Sequence, residues 1–155
     1  MIRFGKTAQT AISAMSLLAE VYDGGKTKLS SLDIAAKRDL PQPVVAKVLT
    51  IVSSLGLVDG TRGPGGGYWL KKPPAEISLL DIVEEFERQD SRIMCPFGPN
   101  WCGKGEPCPM HDTLLQMDSD WTAYLKNTRL SVFQAHAKAG KTAQPAAKTK
   151  KGARG

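Results

Sequence analysis

The sequence predicts a mainly α-helical protein, in which a winged helix-turn-helix head with a small β-hairpin wing precedes a long C-terminal helix. Three observations support this fold class. Apolar residues recur at helical spacing over the first 55 residues, a glycine-rich stretch near residue 62 separates two strand-like segments, and a long amphipathic stretch follows residue 109. We expect four parts: the head over 1–88, a cysteine-rich loop over 89–109, a dimerisation helix over 110–137 and a disordered basic tail over 138–155.

The first two helices are predicted from apolar spacing and capping residues. Apolar positions from Ala8 to Tyr22 recur at i, i+3 and i+4, which predicts an amphipathic helix that ends near Gly24. Ser30 with Asp33 three residues later predicts a capping box at the start of a short second helix. That helix should end near residue 39, because a new segment with two prolines begins there.

The third helix is predicted to begin within the segment 40–43 and to end before Gly56, a residue type that favours helix C-termini. Two short helices in succession indicate a helix-turn-helix. Polar Gln42, Lys47 and Thr50 are expected to point away from the apolar stripe of this helix. We expect the stripe to be buried and to consist of Val44, Val45, Val48, Leu49, Val52 and Leu55.

A wing is predicted directly after this helix pair. The segments 57–58 and 68–70 are strand-like, and the nine residues between them, DGTRGPGGG, suit the tip of a hairpin. Arg62 in such an unhindered loop suits entry into a minor groove, where narrow tracts attract guanidinium groups. A plain flexible hairpin is the alternative interpretation.

The C-terminal half is predicted to contain a short helix, a loop and a long helix. Ser78 with Asp81 predicts a capped helix that runs to Glu87. A long helix should start near Pro109, and a shorter piece with apolar residues follows near residue 130. The long helix could pair with its copy in a second subunit or pack on its own domain. Its apolar stripe is Leu114, Met117, Trp121, Tyr124 and Leu125.

Charge is unevenly distributed along the chain, whose formal net charge is +6. Residues 1–75 carry 10 basic and 5 acidic side chains, residues 76–137 carry 5 basic and 10 acidic, and the tail carries 6 basic and none acidic. Because phosphate contacts need clustered cations, a double-stranded DNA partner is expected to meet the N-terminal half. An unevenly charged, solvated surface is the alternative. The chain lacks a bilayer-length apolar run and a signal peptide, so we expect a cytoplasmic protein without a membrane partner.

Three cysteines lie in one irregular segment, which is more typical of ligands or redox groups than of disulfides in a reducing compartment. Cys95, Cys102 and Cys108 are separated by six and five residues, and His111 follows the last at i+3, where a helix can direct both side chains at one ion or cluster. Zinc motifs usually hold two ligands with two to four residues between them. No pair of these cysteines is that close, so the cysteine spacing favours an iron-sulfur cluster. A zinc site and a metal-free thiol switch stay open as alternatives.

Residues 1–137 resemble the iron-sulfur winged-helix regulators typified by IscR and NsrR. The resemblance is carried by Gly56-Leu57-Val58, by the wing sequence RGPGGGY at 62–68, by the helix sequence ISLLDIV at 77–83 and by the three-cysteine loop. It implies a homodimer joined through the long C-terminal helices. It also implies that the third helix enters the major groove while the wing probes the minor groove. The DNA-binding residues are then Gln42, Pro43, Lys47, Thr50, Arg62, Gly63 and Gly65.

The resemblance also implies that the three cysteines ligate the cluster. In IscR-like proteins the fourth ligand is a histidine three residues after the last cysteine, whereas NsrR-like proteins use an aspartate near the N-terminus of the partner chain. Gln9 stands at that N-terminal position here, so His111 is the expected fourth ligand. The first cysteine gap is one residue longer than the IscR-like spacing. Ala46 replaces the IscR glutamate that helps to read bases, so the operator sequence does not carry over.

Together these features predict a DNA-binding transcriptional regulator, expected to be a repressor, and not an enzyme. Its operator binding would be controlled by a 2Fe-2S or 4Fe-4S cluster that senses redox state, nitric oxide or iron. One alternative is a zinc-stabilised or thiol-redox winged-helix repressor without a cluster. A small iron-sulfur redox protein is an alternative of another class, although an electron carrier would not need a wing.

Overall fold

The computed structural model describes residues 4–87 and 106–140, and it confirms the predicted mainly helical winged helix-turn-helix fold. The head contains three helices, a hairpin, a 3₁₀ turn and a fourth helix. Two further helices follow the cysteine segment. In chain order the elements are α1 (Lys6–Glu20), α2 (Ser31–Arg38), α3 (Gln42–Ser54), β1 (Val58–Thr61), β2 (Gly67–Leu70), the 3₁₀ turn (Pro74–Glu76), α4 (Leu79–Phe86), α5 (His111–Asn127) and α6 (Ser131–Lys138).

Both predicted capping boxes are confirmed. At the start of α2, the Asp33 amide donates to Ser30 Oγ at 3.1 Å, and the Ser30 amide donates to Asp33 Oδ2 at 3.0 Å. At the start of α4, the Asp81 amide donates to Ser78 Oγ at 3.1 Å, and the Ser78 amide donates to Asp81 Oδ2 at 2.8 Å. Each box satisfies two amides that the first helical turn leaves without an intrahelical partner.

The apolar stripe of α3 is buried as predicted, except at its two ends: Val44 is only half-buried, and Leu55 is exposed. Val45, Val48, Leu49 and Val52 have no exposed surface. The prediction for Leu55 is wrong, because this side chain is 40% exposed. The helix ends at Ser54 and the chain reverses at Gly56, whose φ is +73°, so Leu55 lies past the stripe at the helix cap.

Helix α1 lies at the centre of the head and packs against α2, α3, α4 and α6. It ends at Glu20, a few residues before the predicted end near Gly24. Its alanines permit this close packing, since small side chains let neighbouring helices approach. The largest fully buried side chains of the described residues are Met15, Leu18, Ile34, Val45, Val48, Leu49, Val52, Val58, Leu70, Ile77, Ile82 and Leu130.

The wing is a hairpin with an additional edge that the sequence pattern did not indicate. Strands β1 and β2 are antiparallel, with Val58 opposite Leu70 and Gly60 opposite Tyr68. Leu29, just before α2, pairs with the other edge of β2: its amide donates to the Tyr68 carbonyl at 3.0 Å and its carbonyl accepts from the Tyr68 amide at 2.8 Å. The segment before α2 therefore joins the wing to the helix-turn-helix.

The apolar stripe predicted for α5 is divided between the protein core and the surface. Leu125 is buried, and Trp121 packs on Phe4 with ring centroids 5.3 Å apart. Met117 and Tyr124 are 52% and 54% exposed. Helix α6 returns to α1, where Gln134 Nε2 donates to the Tyr22 carbonyl at 3.3 Å. No helix among residues 4–87 and 106–140 has the length and apolar character to cross a bilayer.

Candidate nucleic-acid interface and cysteine site

The exposed side of α3 carries three of the predicted DNA-binding residues. Pro43, Lys47 and Thr50 are exposed and follow one another at i, i+4 and i+7, so they share one face of the helix. The Thr50 hydroxyl donates to the Ala46 carbonyl at 3.0 Å and keeps its lone pairs for a further partner. This face offers a cation, a hydroxyl and an apolar ring to whatever binds it.

Gln42 at the first turn of α3 is half-buried and held by α2. Its Nε2 donates to Ser31 Oγ at 2.9 Å, which leaves the Oε1 acceptor and a second N–H for another partner. An amide of this kind can pair with the N6 and N7 atoms of adenine in the major groove. Ser31 could not be identified from the sequence, because a polar contact between two helices has no periodic signature.

The turn between α2 and α3 is fixed by its backbone and by an ion pair to α1. Asp39 has a φ of +52°, a left-handed conformation that asparagine and aspartate tolerate better than most residues. One residue earlier, Arg38 pairs with Glu20 at 2.6 Å and also donates to Ser16 Oγ at 3.0 Å and to the Ser13 carbonyl at 3.3 Å. These contacts anchor the end of α2 on α1 and so set the position of α3.

The N-terminus of α2 carries an ionised carboxylate. Hydrogen bonds from the Ser30 side chain and backbone lower the pKa of Asp33 below its ordinary value of 3.8. The carboxylate thus caps the helix throughout the neutral range. Its negative charge also interacts favourably with the positive end of the helix dipole.

The wing tip is a tight turn that presents Arg62 to solvent. The Gly66 amide donates to the Gly63 carbonyl at 2.9 Å, with Pro64 and Gly65 as the central residues. Gly65 has a φ of +72°, as the third position of a type II turn requires. All of the predicted wing residues, Arg62, Gly63 and Gly65, are exposed at this tip.

Two of the four predicted cluster ligands meet at the start of α5. The Cys108 side chain is buried, with the residue only 8% exposed, and His111 is the first residue of the helix. The His111 amide donates to the Cys108 carbonyl at 3.0 Å, so the two residues share one turn of the chain. Cys95 and Cys102 lie outside the described residues, and the ligand set stays a prediction. Among residues 4–87 and 106–140 there is no group of three potential metal ligands.

Gln9, at the position where NsrR-like proteins have a ligand, is bound within its own chain. Its Nε2 donates to the Phe4 carbonyl at 2.8 Å, just before α1 begins. An amide is also a poorer metal ligand than a carboxylate. Which residue supplies the fourth ligand stays a prediction.

A helix-turn-helix with a solvent-facing third helix and an arginine-bearing wing defines a winged-helix DNA-binding regulator of transcription. The comparisons with known proteins agree with this class. A family model described as the Rrf2 iron-dependent transcriptional regulators matches residues 4–136. The chain belongs to the Rrf2 family, which is a family of transcriptional regulators and not of enzymes.

A relative and two solved structures illustrate the match. An HTH-type transcriptional regulator from Aquifex aeolicus is 30% identical over 129 residues, which cover 82% of this chain and 88% of that protein. The structure of IscR from T. potens has a TM-score of 0.73 at 21% identity and covers 93% of this chain and 94% of its own. CymR, a global cysteine regulator of B. subtilis, has the same TM-score and identity, with 88% and 98% covered. At these identities the two structures establish the fold.

Proposed function

We propose that this protein is a homodimeric repressor whose affinity for its operator is set by an iron-sulfur cluster held by Cys95, Cys102, Cys108 and His111. The proposal rests chiefly on the buried Cys108 beside His111 at the start of α5. Thiolate and imidazole are donors that iron-sulfur clusters accept. The family description as iron-dependent regulators supports an iron group in this place.

The dimer is proposed from an exposed apolar face on α5. Met110, Met117 and Tyr124 are 42%, 52% and 54% exposed and follow one another at intervals of seven residues. Such a repeat keeps one apolar seam facing a partner helix. Leu115, which is 43% exposed, adds to the apolar surface of this helix. A second copy of α5 would cover this seam and place two DNA-binding heads at a fixed separation.

The heads would bind DNA through the residues predicted from the sequence. Gln42, Pro43, Lys47 and Thr50 would enter the major groove, and Arg62 on the exposed turn of Gly63 and Gly65 would enter the minor groove. Ser31 would orient the Gln42 amide for a base edge. The ion pair of Arg38 with Glu20 would hold α3 against the rest of the head.

Control by the cluster would act through α5. The bound group would supply a centre that changes with redox state, nitric oxide or iron supply. Cys108 and His111 would tie this centre to the first turn of α5, and α5 packs against α4 of the head. Loss of these ligand bonds would free the start of the helix, and the separation of the two heads would change. A tenfold change in affinity needs only about 1.4 kcal/mol between the two states.

The chain offers a matched pair of histidines for a test of the fourth ligand. His111→Ala should shift the visible absorption of the anaerobically purified, iron-loaded protein or shorten the lifetime of the cluster, because a ligand is lost. His136→Ala, on the exposed side of α6, should leave both unchanged. An unaltered spectrum in His111→Ala would place the fourth ligand elsewhere.

The same preparation distinguishes the alternatives. A zinc-stabilised repressor would be colourless and would contain zinc, whereas a metal-free thiol switch would contain neither metal and would respond to oxidants. The likeness to CymR, a cysteine regulator with the same fold, makes these alternatives worth measuring. An electron carrier would be indicated by turnover of an electron donor without binding to any promoter fragment.

A further inference from the structure

The outer face of the wing carries an aromatic ring with a cation held above it. Val58 and Leu70 are paired across the hairpin and buried, so residues one position along each strand face outward. Trp69 is one of these residues. The ammonium of Lys28 lies 4.8 Å from the centroid of the Trp69 ring. This distance is within the range of a cation–π interaction.

The loop before Lys28 is ordered and fits closely against the same ring. A Cβ on Gly25 would lie 3.0 Å from Trp69 Cδ1, which is closer than an ordinary contact, so a side chain at this position would have to displace the ring. Asp23 accepts hydrogen bonds from the Thr27 amide at 2.8 Å and from its hydroxyl at 2.6 Å, and these bonds lower the pKa of Asp23. The loop and the ring together restrict where the Lys28 ammonium can go.

This cation lies on the segment that connects the wing to the helix-turn-helix. Lys28 precedes Leu29, the residue that pairs with β2, and comes two residues before Ser30, the cap of α2. The next residue, Ser31, contacts Gln42 at the start of α3. In helix-turn-helix complexes the recognition helix contacts bases with its N-terminal residues and the preceding helix crosses the backbone. A cation beside these helix starts is therefore near the path of the phosphates.

The charge of Lys28 is not neutralised by a neighbouring acid. Within residues 4–87 and 106–140, Lys28 forms no ion pair, whereas Arg38 pairs with Glu20. Asp59 faces Trp69 from the opposite strand, and its Oδ1 accepts from the Gly60 amide at 2.9 Å. Exposed Lys71 follows two positions after Trp69 on the same face and adds a second cation. Two of these three charged residues are lysines, so this part of the wing has an excess of one positive charge beside a half-buried ring.

We propose that Lys28 binds a DNA phosphate beside the wing and that Trp69 is the positioning residue that holds it there. The inference rests on DNA binding by the helix-turn-helix and is independent of the cluster. It adds a backbone contact outside α3 and the wing tip. A phosphate contact strengthens binding to all sequences and makes it more dependent on salt, whereas base contacts select the sequence.

The test is a salt titration of full-length protein with a fluorescent duplex from its own promoter and with an unrelated duplex. Lys28→Gln removes one phosphate contact from each subunit of the proposed dimer. It should therefore reduce the magnitude of the slope of log K against log salt by about 1.8 and weaken binding about 30-fold at about 0.15 M salt, on both duplexes. Lys126→Gln, an exposed lysine near the C-terminal end of α5 and outside the helix-turn-helix and the wing, is the matched control and should leave the slope unchanged. If the wild type binds the duplexes and Lys28→Gln has the same slope as the wild type, the Lys28 proposal is wrong. The proposed function as a regulator is not affected by that result.

Variants of Trp69 test the positioning role. Trp69→Phe keeps an aromatic face and should bind within about twofold of the wild type, whereas Trp69→Leu should lose affinity severalfold. Lys28→Gln combined with Trp69→Leu should bind no more weakly than Lys28→Gln alone, because the ring acts only through the lysine. Fully additive losses would show that Trp69 has a separate, structural role. If Trp69→Leu does not fold, the Lys28→Gln slope and the Trp69→Phe affinity decide.

Discussion

Helices α3 and α5 are both amphipathic, but only α3 finds its whole partner surface within the described chain. Four apolar residues of α3 are completely buried, whereas Leu125 is the only buried residue in the described helix α5. The α5 stripe instead leaves Met117 and Tyr124 about half exposed. Helix α3 is therefore fixed on the head by its buried face, while α5 leaves an apolar seam exposed, and this seam is the basis of the proposed dimer.

The largest expected effect comes from charging the α5 seam. Met117→Glu combined with Tyr124→Glu should convert the dimer into a monomer, because two carboxylates would have to lose water at the interface. Operator affinity should then fall by about 100-fold or more, since each head would bind its half-site alone. Light scattering after size exclusion and fluorescence anisotropy measure the two effects.

The control for the seam is Ser119→Glu, an exposed α5 residue on the opposite side of the helix. This variant should keep the oligomeric state and the affinity of the wild type. A double variant that remains dimeric would show that α5 is not the interface and that its apolar seam has another role.

A smaller effect is expected from the buried side of the comparison. Leu49→Ala on α3 should lower the free energy of unfolding by about 2–5 kcal/mol, because it leaves a cavity in the head. Met117→Ala on α5 should change it by less than about 1 kcal/mol when measured at concentrations where the protein is monomeric. Urea denaturation followed by circular dichroism gives both values. Equal losses would mean that the α5 stripe is as well packed in the monomer as α3.

Arg62→Ala should have a moderate effect that is confined to DNA binding. The exposed turn keeps its backbone, so the unfolding free energy should stay within about 0.5 kcal/mol. Specific binding should weaken by about 1–3 kcal/mol, if the guanidinium enters a minor groove. Anisotropy on operator and unrelated duplexes measures the difference. An unchanged affinity would remove the wing from the mechanism.

The smallest effect concerns the cap of α2 and is a dependence on pH. The pKa of Asp33 is lowered in the folded state, so the carboxylate stabilises the fold above pH 3.8 and this stabilisation is lost as pH falls through the folded pKa. The Tm of Asp33→Asn should therefore fall less than that of the wild type when the pH is lowered from neutral to about 2. Parallel Tm profiles for the two proteins would contradict the role of this carboxylate.

Local patterns were sufficient to predict most of the head. The two capping boxes, the wing and the buried face of α3 each depend on residues a few positions apart, and the structure has them as expected. Leu55 was predicted wrongly because periodicity does not show where a helix ends. The helical spacing of apolar residues in the sequence includes Leu55, although the helix ends at Ser54 and the chain turns at Gly56.

Contacts between distant elements could not be predicted in the same way. The pairing of Leu29 with β2 involves one bridge, and the hydrogen bond from Gln42 to Ser31 depends on how α2 and α3 cross. The division of the α5 stripe depends on Phe4, far away in sequence, which covers Trp121. For the cysteine site, sequence spacing supplied the four candidates, and the structure describes two of them.

The central claim is that a cluster at the start of α5 controls the DNA-binding heads. The most direct measurement is the operator affinity of anaerobically purified protein with its cluster intact and after the cluster has been removed, at one salt concentration. We expect a coloured protein with visible absorption and at least a tenfold difference in affinity, which corresponds to about 1.4 kcal/mol. A colourless, zinc-loaded protein from an iron-replete host, or equal affinities in the two states, would contradict it.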